Sequence, residues 1–186
     1  DARVYLLGSL HLLKPTDYPL SADVEQAFTA SKRVLFEVSP EEMESTQAAT
    51  QMVQTAIRRD GSELKRDLDD ATWQKLQAYA SQNKLPLAQL QGMKSWFVAL
   101  NITIGQMQKM GLDANLGLDR HFMAQAKKAG KQTGGLEDMQ SQIYLLDGMS
   151  LQEQRQMMAE ALDQADKGDE QSLMLHEAWR RGDDRV

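Results

Sequence analysis

Three residues have side chains suited to one shared chemical task. They are His11 in Gly8-Ser9-Leu10-His11, Glu37 within Val34-Leu35-Phe36-Glu37-Val38, and Glu137 just after Lys131 to Leu136. Imidazole nitrogen together with carboxylate oxygen is the donor set of a divalent-metal site, and equally of a general acid–base site. The mixture suits Mn, Zn, Co or Fe. Gly8 lets the backbone turn sharply before His11 and come close to a bound cofactor.

Each of these residues also has a plain structural role open to it. A lone histidine in a loop is commonly a surface residue. Glu37 can face water at a strand end or pair with Arg33, and Glu137 can sit near a helix N-terminus, where the helix dipole favours a carboxylate. Glu37 is the hardest to reduce to structure, because a carboxylate buried unpaired in an apolar strand costs several kcal/mol. Their common place in a strand–helix rhythm is what groups them. His121, beside Phe122, and His176, near Trp179, read as helix-surface or packing residues. Asp119 in Gly117-Leu118-Asp119 is either a cap or a site residue, and spacing alone favours the cap.

The elements that must position these groups follow from pattern. Val4-Tyr5-Leu6-Leu7 is an unbroken apolar run ending at Gly8, which predicts a strand buried on both faces. Pro15 and Pro19 mark a loop, and Ser21 caps a helix carrying Val24, Ala27 and Phe28. Val34 to Val38 is a second strand, which predicts a βαβ unit over residues 1–39 with its two strands parallel. From Ser39-Pro40-Glu41-Glu42 onward a helix runs through Met52, Val53, Ala56 and Ile57 to Asp60-Gly61. Asp70 caps the next helix, Pro86 opens a short one, and Lys94 to Met110 and Gly117 to Ala129 are two more, stopped by Gly111 and Gly130. Residues 40–129 are thus all helical. Residues 130–186 hold a short third strand, Lys131 to Leu136, then helices from Asp138 to Leu146, Leu151 to Lys167 and Glu170 to Arg181. The whole reads as one domain of the α/β class, helix-rich, with a small parallel sheet. Ligands in such sheets sit beyond the carboxyl ends of the strands, where His11, Glu37 and Glu137 all fall.

Composition narrows the functions. Hydrophobic residues make up 41% and charged residues 26%, as in ordinary globular chains. Lys and Arg number 21 against 27 Asp and Glu, with no basic stripe, so a nucleic-acid partner is not expected. The longest apolar stretch, Trp96 to Ile104, is far short of the ~20 residues that cross a membrane. With no Cys there is neither a disulfide framework nor thiolate chemistry. No His-Glu-x-x-His, phosphate-binding loop, Gly-x-Ser-x-Gly or dinucleotide fingerprint is present.

Taken in order, Val4 to His11, Asp17-Tyr18-Pro19-Leu20, Val34 to Val38, Gly117-Leu118-Asp119, and Leu136-Glu137 followed by Gln140 resemble the TraB/GumN family along nearly the whole chain. That family looks related to the Tiki metalloproteases and, more distantly, to erythromycin-esterase-like hydrolases. The resemblance implies that His11 and Glu37 belong to a metal site, with Glu137 matching a family motif. One departure stands out: the family's second Gly-x-x-His, near its C-terminus, has no counterpart here. The resemblance therefore implies a missing C-terminal segment and an incomplete sheet, whose exposed edge invites self-association. The start at Asp1, without an initiator Met, together with the family points to a processed protein of the periplasm or exterior.

Three functions are expected from these readings. The first is a metal-dependent, peptidase-like hydrolase acting on a peptide or small-molecule substrate. The second is a peptide-binding or signal-sequestering protein in which His11 and Glu37 are structural. The third is an esterase-like hydrolase without a metal, with His11 as base and Glu37 orienting it.

Overall fold

The computed structural model describes residues 3–167 and 170–183. Asp1, Arg185 and Val186, on which the expectation of a processed start and a missing end rests, lie outside the described residues.

The chain forms a two-stranded parallel sheet and many helices. Ser21 accepts from the Val24 amide and starts α1 (Ala22–Ala30). β1 (Arg33–Val38) then pairs in parallel with β2 (Gln132–Glu137), with Arg33 opposite Gln132 and Val38 opposite Glu137. Two parallel strands need a crossover. Here it carries six helices: α2 (Pro40–Met43), α3 (Thr46–Ala56), α4 (Asp70–Gln82), α5 (Leu87–Leu90), α6 (Ser95–Lys109) and α7 (Leu118–Ala129). The expected helical segment between the strands and the expected strand after Gly130 are both present. α8 (Met139–Asp147), α9 (Leu151–Lys167) and α10 (Glu170–Arg181) follow.

Three local expectations are corrected. Val4 to Leu7 is not a strand: it joins no ladder among the described residues, and Leu6 is 96% exposed. An apolar run signals burial only if an edge or a face is there to receive it, and none of the described residues supplies one. The parallel pairing is accordingly β1 with β2, not Val4–Leu7 with β1. The helix expected from Ser39 is two helices, because Ser45 caps a fresh start by accepting from the Ala48 amide. The cap of α4 is Asp69, bound by the Thr72 amide at 2.7 Å, rather than Asp70.

By contacts the chain divides into two compact units. One comprises Asp1–Glu44, Met107–Asp138 and Gln171–Val186, and holds the sheet. Its core packs Phe36 of β1 against Leu118, Phe122 and Met123 of α7 and against Leu13. The Phe28 and Phe122 rings lie 4.9 Å apart, a stacked pair joining α1 to α7. The other comprises Ser45–Gln106 and Met139–Glu170. There Trp73 and Leu76 of α4 pack with Val98, Ala99 and Ile102 of α6 and with Met158 and Leu162 of α9. In that unit Arg58 pairs with Asp67, and Asp147 accepts from both Lys94 Nζ, at 2.6 Å, and Trp96 Nε1, at 3.0 Å.

Candidate active site around His11

The site lies within the sheet-bearing unit, where the chain before α1 meets the start of α7. Leu13 and Asp113 exchange backbone hydrogen bonds of 3.3 and 2.9 Å, and the Leu118 amide donates to the Leu10 carbonyl at 2.9 Å. These bonds lay residues 10–13 along residues 113–118. Gly117 lets them come close. A Cβ there would stand 2.6 Å from the His11 carbonyl carbon and closer still to its oxygen, so no larger residue fits without moving the His11 backbone. From the other side Trp179 of α10 donates its indole N–H to the Gly8 carbonyl at 2.8 Å. Another α10 residue, His176, is buried and pairs with buried Asp17 at 2.8 Å.

So placed, His11 meets two carboxylates on opposite ring nitrogens. Its Nδ1 lies 2.7 Å from Asp119 Oδ2, and its Nε2 lies 3.4 Å from Glu37 Oε2. Ser9 Oγ donates to the same Asp119 oxygen at 2.7 Å. Asp119 sits in the first turn of α7 and is buried, so its charge is held by two side-chain donors and the helix N-terminus. Burial opposes that charge, but the hydrogen bonds from His11 and Ser9 together outweigh it, and the Asp119 pKa falls below the usual carboxylate value. For His11 the hydrogen bond to Asp119 is the largest influence. It outweighs desolvation and, with the charges of Asp119 and Glu37, raises the imidazole above its ordinary 6.5.

Of the residues singled out from sequence, His11 and Glu37 come together. Glu37 alternates outward from the buried Phe36 and Val38, so the apolar strand does not bury it. Glu137 pairs in register with Val38, and the pleat therefore assigns it to the face opposite Glu37. Gly8 has open space where a Cβ would stand, and its carbonyl is an anchor for Trp179. Asp119, for which spacing favoured a cap, is the partner that orients His11. Ser9 and Gly117 complete the arrangement; Ser9 stood in the Gly8-Ser9-Leu10-His11 motif and Gly117 in the Gly-Leu-Asp triplet at a helix start, but neither was singled out for a role.

Along one edge the cluster offers two groups, His11 Nε2 and Glu37 Oε2, of the kind that ligate a divalent metal. Two ligands of one tetrahedral ion, each about 2.0–2.1 Å from it, lie about 3.3 Å apart, close to the separation of His11 Nε2 and Glu37 Oε2. Metal-binding imidazoles commonly donate their other N–H to a carboxylate, the part Asp119 plays. Asp119 cannot itself join that edge, because it stands on the opposite ring nitrogen. In keeping with this, no group of three or more His, Cys, Asp or Glu among the described residues is arranged to hold a metal ion.

Among the described residues no helix is long and apolar enough to cross a membrane. A model of the TraB/PrgY/gumN family matches residues 1–185. No curated protein and no solved structure matches the chain.

Proposed function

The chain belongs to the TraB/PrgY/gumN family, and from that premise we propose that it is a metal-dependent, peptidase-like hydrolase centred on His11 and Glu37. The observation that carries the reading is the Asp119–His11–Glu37 array, with one carboxylate on each ring nitrogen. A divalent metal held by His11 Nε2 and Glu37 would supply Lewis acidity and an activated water.

The chain's own residues do the rest. Asp119 fixes the tautomer, keeping the proton of neutral His11 on Nδ1 and the Nε2 lone pair turned toward Glu37. Ser9 stabilises the Asp119 charge through its hydrogen bond and helps hold the carboxylate in place. Gly117 keeps the His11 backbone against α7, so that the imidazole reaches Asp119 at all. A periplasmic or secreted setting belongs with this reading.

The test is metal content and hydrolysis of fluorogenic peptides by the protein and by His11→Ala, Glu37→Ala and Asp119→Asn. Near-stoichiometric metal, lost in His11→Ala and Glu37→Ala and weakened by about 10–100-fold in Asp119→Asn, is the expected result. Activity and metal content unchanged in His11→Ala would end the proposal.

The pairing of His11 with Asp119 also favours a second reading, an esterase-like hydrolase without a metal. In it His11 Nε2 acts as a base oriented by Asp119, where Glu37 was expected in that role. Ester hydrolysis that survives chelators but not His11→Ala would select it.

A further inference from the structure

A depression lies in the same unit, along the chain from the His11 cluster by only the Gly117 turn. It is a groove of about 700 Å³ bordered by Tyr18, Pro19, Leu116 and one face of α7. Two rings line it. Tyr18 and His121 stand 4.5 Å apart between centroids, with the Tyr18 hydroxyl donating to the Leu116 carbonyl at 2.6 Å. His121 Nε2 is paired with the Gln125 amide at 2.6 Å, which holds the ring in place.

Two cations border the same groove. Arg120 and Lys128 are exposed, and neither has an ion-pair or hydrogen-bond partner among the described residues. They are eight residues apart on α7, which is about 12 Å along the helix axis. Glu25 is the one carboxylate of the lining, and it stands 3.9 Å from His121 Nε2. The chain as a whole carries a net charge of −6, so this local excess of positive charge runs against its average. The exposed Asn115 amide adds both a donor and an acceptor at the rim.

These spacings match an extended peptide. A strand rises about 3.3 Å per residue, so ~12 Å covers about four, and alternate side chains share a face. Carboxylates at positions one and five would meet Arg120 and Lys128, with the rings beside the first of them, and an apolar side chain at position three would meet Ala124, about 6 Å along the axis from Arg120. We propose that the groove holds an extended acidic peptide segment of this pattern and thereby sets the substrate class of the neighbouring site. The inference rests on the peptidase-like reading of His11, and the experiment separates the two.

Short fluorescein-labelled peptides of the pattern Glu-x-Leu-x-Glu, Gln-x-Leu-x-Gln and Lys-x-Leu-x-Lys serve as probes. Binding is followed by anisotropy on the His11→Ala protein, where cleavage does not interfere. The Glu peptide should bind about tenfold or more tightly than the Lys peptide, and added salt should erode the difference. Arg120→Glu/Lys128→Glu, introduced in the same background, should abolish or reverse the preference. Arg120→Gln/Lys128→Gln provides a milder variant, and melting curves confirm that each folds. Equal binding of the three peptides, or a preference untouched by either double variant, overturns the proposal. Charge-selective binding without cleavage by the unmodified protein keeps the groove and removes the hydrolase. Cleavage indifferent to charge in peptide and groove removes the groove and keeps the hydrolase.

Discussion

His11 and Asp119 set one another's charge, and the sign of each effect fixes a pH window. The imidazole is raised above 6.5 chiefly by its hydrogen bond to Asp119, so its share of stability is complete below that value and is lost as pH rises through the folded pKa. The carboxylate is lowered below 3.8 against the opposing effect of burial. Its share is complete above that value and is lost as pH falls through the folded pKa. The pair therefore supports the fold most fully between about pH 4 and 6.5. Because the imidazole is 58% exposed, solvent screens the pair and the effect stays modest. In the metal-free protein, Asp119→Asn should bring the His11 titration, followed by NMR, back toward 6.5. It should also open a gap in melting temperature that is widest inside that window. The same His11 titration in both proteins would refute the pairing.

At the level of elements, the site depends on how tightly residues 10–13 lie against the start of α7, and Gly117 controls that distance. Gly117→Ala forces a Cβ into the His11 carbonyl. Overpacking of this kind costs about 1–3 kcal/mol, and the backbone must move to relieve it. The expected result is a lower melting temperature together with a His11 titration resembling that of Asp119→Asn. Gly92→Ala, where a Cβ would meet only an ordinary contact, is the control and should change neither. The helices themselves were legible in sequence because caps and stops are local chemistry: Ser21 and Gly130 both act where they stand. β2 was legible from the glycine that ends α7 and the helix that follows. Val4 to Leu7 was misread because periodicity reports what a segment can bury, not whether a neighbour exists to bury it. Ser45 was passed over because a cap inside a longer apolar stripe looks like any polar helix position. Asp119 could not be separated from a cap, since its partner His11 lies 108 residues away and no local pattern encodes that pairing.

At the scale of the whole molecule, two cores share one chain, and the crossover between the paired strands passes through both units. The His11 cluster draws its support from one of them. Phe122 lies one helical turn beyond Asp119 and packs with Leu13, Phe36 and Leu118, so it anchors the part of α7 that presents the carboxylate. Leu76 is fully buried in the other core, against residues of α6 and α9. Truncating either side chain leaves a cavity, at about 2–5 kcal/mol for Leu76→Ala and about 3–5 kcal/mol for Phe122→Ala. Denaturant melts should register both losses. Under native conditions only Phe122→Ala should shift the His11 titration, because only it loosens the turn of α7 that carries Asp119. A shift of equal size in Leu76→Ala would show that the second core also positions the site.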